Sequence, residues 1–388
     1  MRGRRIKVIN CSRNFHYTST AYQSNVNMKK VYSLLVLMML VLTATAQYTS
    51  LNDKELGKLK DLIRTDADVK NFYSSFERNA TQALDSTPHP IDTIGTEGKL
   101  QGDPKKVATI FALRDMRKIY SLALAYRVQG DKKYLQKATA YLLAWAAINR
   151  SKGDPIDDTN LDDAIEGYDL IKTSLSLADN QSIAQWLRQV AEAESNSFTR
   201  KPNSGTSINN WNSHRLKVIA EIAWAIGDTA YQQFAIRELK RQVNRNLYAD
   251  GSGYDFKERD ALHYHVYDLE PLLKLCIVLK RATGEDYYSW VADNQASIKK
   301  STEWLVPFVT GEKTHEEFVH SKVRFDSLRA ANHEAGYKAG TLFEPNNGLR
   351  TLALAAYFTP SYADTFRAVR KTDKVYADWI LVLNKVRM

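Results

Sequence analysis

Only two of the 388 residues are cysteine and nine are proline. Cys11 falls in an N-terminal stretch that reads as removable, which leaves Cys276 alone within the apolar run Leu272 to Leu279 and excludes an intrachain disulfide framework. A lone Cys on an apolar helix face is ordinarily core. Strand-like alternation is scarce, and rare proline leaves room for long helices. Walker A loops, Gly-rich dinucleotide turns and Gly-x-Ser-x-Gly elbows are missing, which weighs against nucleotide enzymes and serine hydrolases. HExxH, Cys-rich and Asp-x-Asp-x-Asp-Gly patterns are missing too, so no metal site is expected. At 44% hydrophobic and 25% charged the chain is an ordinary globular one, and not disordered, collagen-like or many-spanning.

Acidic residues are absent from the first 46 positions, which carry Arg2, Arg4, Arg5, Lys7, Arg13, Lys29 and Lys30. Within that stretch Met28-Lys29-Lys30 precedes the apolar run Val31 to Leu42 and then Thr43-Ala44-Thr45-Ala46. A basic start, a short apolar run and a small-x-small site make a secretory signal peptide, with cleavage expected after Ala46. The run is well short of the ~20 residues that a spanning helix needs. No Cys stands at the cleavage site for a lipid anchor, and Met28 is a plausible second start. The expected mature protein, residues 47–388, is periplasmic or secreted and free of the membrane. The formal charge of +10 then loses seven basic residues, leaving 47 against 44 acidic ones, a net of +3. That balance argues against nucleic acid as a partner.

Helical periodicity runs through the mature chain. One candidate starts at Asp103 with Pro104 in its first turn and ends at Gly130. Others cover 134–147, 161–177, 181–198, 214–226, 231–248, 263–282 and 287–305. Gly130-Asp131-x-x-Tyr134, Gly227-Asp228-x-x-Tyr231 and Gly284-Glu285 with Tyr288 read as corners between helices: Gly ends one helix, the acid caps the next and Tyr packs in its first turn. Their uneven separation excludes a short-period solenoid. No linker divides residues 47–388, so the expectation is a single all-α domain of roughly ten to twelve helices, stacked as hairpins in an α/α toroid (an incomplete barrel), with an irregular solenoid as the alternative.

Two polar clusters interrupt this pattern. Asn209-Asn210-Trp211-Asn212-Ser213-His214-Arg215 directly precedes an apolar helix. Capping needs only one such residue, and N–H donors at a helix start also suit an anion. The second cluster runs from Arg259 to Glu270 and includes His263, Tyr264, His265 and Tyr267. On a helix His263 and Tyr267 share a face, whereas the rings of His263 and His265 point in different directions. A Tyr and a His beside an Arg form a proton-transfer constellation: Arg favours a tyrosinate, and His or Tyr acts as acid or base. Ordinary buried aromatics are the competing reading. Lys99, in Glu97-Gly98-Lys99-Leu100-Gln101-Gly102-Asp103, can reach an anionic ligand from a loop. Asp157, Asp158, Asp162, Asp163 and Glu166 leave a paired-carboxylate glycoside hydrolase open.

Taken together, these segments resemble the alginate-lyase superfamily of polysaccharide lyases, from about Ile91 to about Tyr357. Ala261-Leu262-His263-Tyr264-His265-Val266-Tyr267 is close to the family's R-A-L-x-Y-H-N-Y stretch, Ile208-Asn209-Asn210 matches the start of its N-N-H-R-Y-W motif, and Lys99-Leu100-Gln101-Gly102-Asp103 looks like its K-Y-E-G-S-D lid. The stretch Trp145 to Ile171 also reads like the family. Trp211 stands where the family has its catalytic His, and Asp260 where it has Arg, with Arg259 one residue earlier.

The resemblance implies a toroid that cleaves a polyuronate, alginate or a related acidic polysaccharide, by β-elimination without a metal or organic cofactor. Tyr267 falls on the catalytic tyrosine and is the implied base, with His214 or His265 as its partner. Asn209, Asn210, Arg259 and Lys99 are expected to neutralise the uronate carboxylate, with Arg215 and His263 nearby and Trp211 and Tyr264 stacking on sugar rings. A non-catalytic glycan-binding toroid remains the other alternative.

Overall fold

A computed structural model describes residues 47–202 and 204–388; the export pattern in residues 1–46 lies outside the described residues. Its first half holds α1 (Asp53–Thr65), α2 (Ala67–Leu84), α3 (Pro104–Gln129), α4 (Lys132–Ile148), the single turn α5 (Pro155–Asp158), α6 (Asp162–Ile171) and α7 (Leu177–Ser195). Then come α8 (Asn210–Ile226), α9 (Thr229–Asn246), α10 (Tyr254–Arg259), α11 (Leu262–Thr283) and α12 (Ile298–Val309). The remainder holds β1 (Glu316–Glu317), α13 (Arg324–Ala331), β2 (Thr341–Leu342), α14 (Leu349–Ala355), α15 (Ser361–Arg370) and α16 (Trp379–Arg387). β1 and β2 pair antiparallel, with Glu316 opposite Leu342.

Two of the three predicted corners form as expected. Gly130 (φ 81°) and Gly227 (φ 73°) end α3 and α8 in the left-handed region, and Asp131 and Asp228 cap α4 and α9. The third differs. Gly284 ends α11 as expected, but the next helix starts at Ile298 and not near 287. Between them Asn294 donates its amide to the carbonyls of Asn244 and Leu247 at the end of α9. Tyr288 stacks on Phe358 at 4.6 Å. These tertiary bonds outcompete local helix formation.

The helices form two layers. An inner series packs in the order α3, α6, α8, α11, α14, α16 and α1, with α2, α4, α7, α9 and α15 outside it. This is the α/α toroid. Residues 47–388 make one compact unit with two main hydrophobic cores. α8 belongs to both: Val218 and Ile222 face the first core, and Leu216, Ala220 and Ala223 face the second. Cys276 is buried in the second core. Among the described residues no helix is long and apolar enough to cross a membrane.

Inside the inner layer lies a cavity of about 280 Å³, bordered by Asp162, Glu166, Glu221 and Lys274. Lys274 Nζ stands 3.0 Å from a carboxylate oxygen of Asp162, of Glu166 and of Glu221. Burial opposes the Lys274 charge, but the three carboxylates outweigh it and hold its pKa well above the usual lysine range.

Candidate active site

The N-termini of α8 and α11 converge on a second cavity, of about 250 Å³. Asn209 caps α8 by accepting from the Trp211 N–H at 3.1 Å, which presents Asn210 and Trp211 to the cavity. The short α10 ends at Asp260, whose left-handed backbone (φ 49°) is one that Asp tolerates better than most residues. This corner turns Arg259 into the cavity, and the Asp260 carbonyl accepts from Phe318 N–H at 2.7 Å. α11 has no capping side chain of its own. Glu317 of β1 substitutes for one, accepting from the Leu262 and His263 N–H groups at 2.8 and 2.9 Å. The first turns of α11 then present His263, Tyr264 and Tyr267.

The rest of the wall comes from two segments distant in sequence. Glu97 enters from the loop before α3, and Phe325, Arg329 and Tyr337 enter from residues 324–337. Arg329 Nη1 donates to the hydroxyls of Tyr264 (2.8 Å) and Tyr337 (2.6 Å). Its buried Nε makes no hydrogen bond, and the nearest Glu334 oxygen is 3.7 Å away. Arg259 donates to Asp326 at 2.5 Å, and its guanidinium lies 3.7 Å from the Tyr264 ring centre. Arg329 and Tyr337 carry no local motif, and sequence reasoning missed both. Glu97 lay in a segment it had singled out for Lys99.

Burial dominates the electrostatics. It pushes the Tyr267 hydroxyl well above the usual phenol range, reinforced by Glu97 and Tyr337 and opposed by Arg329. Burial and the charges of Arg329 and Arg259 push His263 down to about 4, so its ring is neutral near pH 7. Asn210 donates its backbone N–H and one carboxamide hydrogen to Asp255, leaving the second amide hydrogen unspent. His214 stands one turn behind Asn210, its ring centre 4.4 Å from that of Tyr267. Burial and the neighbouring Lys217 push the His214 pKa down to about 3.

Of the expected site residues, Asn209 caps α8 and His214 stands behind the wall without bordering the cavity, and three more lie elsewhere. Arg215 is fully buried beneath α8, where it pairs with Glu194 at 3.2 Å and donates to Thr199 and Asn212. His265 points to the opposite side of α11 from the cavity, with Nε2 3.2 Å from the Ser301 carbonyl and its ring against Trp304. Lys99 borders an adjoining cavity of about 240 Å³, which shares Glu97, and its Nζ is 3.4 Å from the Glu97 carbonyl. The candidate acid pairs are engaged as well. Asp157 accepts three hydrogen bonds from Thr96 and Glu97, Asp158 accepts from Ser151, and Asp162 and Glu166 hold Lys274. Among the described residues no group of three His, Cys, Asp or Glu has a metal-holding arrangement.

Comparison with known proteins places this geometry. The chain is similar to an alginate lyase from Bacteroides ovatus, with 17% identity and a TM-score of 0.63 over 85% of this chain and 97% of that one. It is similar to alginate lyase A1-III from Sphingomonas species A1 (17% identity, TM-score 0.54, 79% of this chain and 95% of that one). A tyrosine-to-phenylalanine variant of A1-III complexed with tetrasaccharide matches with a TM-score of 0.53, over 69% and 79%, also at 17% identity. At such identity these structures speak for the fold. No curated protein matches by sequence. The alginate lyase family model matches residues 55–315, two thirds of the chain, so Arg329 and Tyr337 come from beyond the matched stretch. On that match, the chain belongs to the alginate lyase family.

Proposed function

We propose that the protein is an exported polysaccharide lyase that cleaves a polyuronate by β-elimination in the cavity around Tyr267. The observation that carries this reading is the convergence of Tyr267, Tyr264 and His263 with Arg259, Arg329 and the Asn210 amide in one cavity. The proton on C5 of a uronic acid is α to the carboxylate and very weakly acidic while that carboxylate is charged. Arg329, with unspent donors, and the free Asn210 amide hydrogen neutralise the carboxylate and stabilise the enolate-like charge that develops. Tyr267 as tyrosinate takes the C5 proton. The C5 electron pair forms the C4–C5 double bond, the C4–O bond breaks, and the leaving oxygen takes the proton back from Tyr267. Trp211 and the aromatic wall stack on sugar rings.

Burial favours the protonated Tyr267, so the resting enzyme holds the acid form, and Arg329 works toward the base form. Incubation with a panel of polyuronates tests the assignment. New ultraviolet absorbance from an unsaturated sugar is the expected result. Reducing ends without absorbance mean a hydrolase, and retention without products means a binder. The pattern Met28 to Ala46 supports export to the periplasm or medium, and N-terminal sequencing of the exported protein is expected to begin at Gln47.

A further inference from the structure

Behind the Tyr267 ring runs a chain of polar side chains that elimination chemistry does not by itself require. His214 Nδ1 lies 2.9 Å from the Thr159 hydroxyl oxygen. Lys217 Nζ donates to that same oxygen at 2.5 Å and to both carboxylate oxygens of Asp162. The Lys217 side chain is 3% exposed. Burial would raise the Asp162 pKa, but Lys217 and Lys274 outweigh it and keep that carboxyl ionised.

The donor inventory fixes the direction of one of these bonds and favours that of the other. A lysine ammonium has three donors and no acceptor, so the Thr159 oxygen accepts from Lys217. One lone pair is thereby taken, and the single hydroxyl hydrogen is free to point to His214 Nδ1, 2.9 Å away. A ring nitrogen that accepts carries no proton, so the proton of the neutral imidazole sits on Nε2. That Nε2 is buried and makes no hydrogen bond. The ring packs against Tyr267, with the two ring centres 4.4 Å apart. Pro271 stands four residues further along α11 and lacks the N–H that would ordinarily bond the Tyr267 carbonyl.

We infer that Lys217 and Thr159 lock His214 in the Nε2–H form, so that it is a neutral ring packed behind Tyr267, which positions Tyr267 and does not act as a base. The catalytic half of this inference rests on the lyase reading above; the tautomer does not. It assigns His214 a supporting part and leaves His263, which borders the cavity, as the histidine placed to touch substrate. Thr159 and Lys217 become positioning residues that act through His214.

The test is two-bond ¹H–¹⁵N correlation of protein labelled at histidine nitrogens, with the His214 signals assigned from their loss in His214→Gln. In the wild type, Nδ1 is expected at the position of an unprotonated nitrogen and Nε2 at that of a protonated one. Thr159→Val keeps the shape and removes the hydroxyl. It should abolish the pure Nε2–H signature and lower kcat by roughly tenfold to a hundredfold, by analogy with the loss of hydrogen-bond partners that orient metal-ligating histidines. KM should stay nearly constant, and Thr159→Ser should restore signature and rate. A protonated Nδ1 in the wild type overturns the inference without reference to any variant. An unchanged signature in Thr159→Val overturns the lock, and a changed signature with wild-type kcat overturns the positioning role. A wild type that yields no unsaturated product from any polyuronate defeats the lyase reading instead, and the spectrum still decides the tautomer.

Discussion

The Lys274 and Tyr267 cavities are similar in size and both contain buried charge, yet they handle it in opposite ways. In the inner cavity Lys274 sits within 3.0 Å of three carboxylates, so its charge is fully met by groups of the protein itself. In the outer cavity Arg329 spends its hydrogen bonds on two neutral phenols and keeps an idle Nε. A phenol satisfies a donor without cancelling the charge behind it. The inner lysine is therefore ringed by anions at contact distance, while Arg329, whose nearest carboxylate oxygen is 3.7 Å away, keeps donors for an incoming anion.

Tyr267→Phe gives the sharpest contrast. It removes the one atom proposed to move protons and is expected to lower kcat by about 10²–10⁴ while folding and substrate binding persist; full activity would end the assignment. Lys274→Met strips the cation from three carboxylates and should cost about 3–5 kcal/mol of stability, read by denaturant unfolding, with the folded fraction still active. If Lys274→Met were instead stable and inactive, the inner cavity would belong to the site and the contrast would fail. Arg329→Lys keeps a charge but loses the planar fork and should lower kcat/KM by about 10²; an unaltered kcat/KM would transfer the anion to Arg259.

Two smaller effects sharpen the comparison. Burial and the nearby Asp162 push the Glu221 carboxyl up to about 7 from an ordinary 4.5. The folded protein thus holds a proton that the unfolded chain has released over that interval. Stability should fall as pH rises from 4.5 to 7, by at most about 1.4 kcal/mol per pH unit from this group, and then level off. Glu221→Gln should flatten the slope in a series of thermal melts, and an unchanged slope would place the titration elsewhere. Asn209→Ala should cost about 1 kcal/mol of stability, the value of a cap, with kcat nearly untouched. A large loss of kcat there would move Asn209 from capping to the reacting groups.

Much of this architecture is legible in the sequence because it is local. Gly130-Asp131 and Gly227-Asp228 encode corners through φ and a capping carboxylate, and helical spacing puts His263 and Tyr267 on one face. The same spacing argues against His265, two residues from His263, as a member of that face, and it indeed points to α12. What was not legible depends on distant partners. Arg215 looks like an anion ligand until Glu194, from another helix, claims it. The helix expected near 287 yields to carbonyls of α9 that only the fold brings close. Arg329 and Tyr337 reach the cavity from more than sixty residues beyond α11's first turn, with no motif to announce them.

The sharing of α8 between two cores has a consequence for how this protein can change. A helix packed on both sides has nowhere to absorb an altered volume, so substitutions near Leu216 or Val218 propagate to Asn210 and His214 at its start. The segment from β1 to β2 is different. Phe318 and Tyr337 pack in a small cluster with Ala261 and Tyr264, separate from both main cores. Changes of volume in that segment are expected to act on the Tyr267 cavity directly and to leave both main cores unaltered.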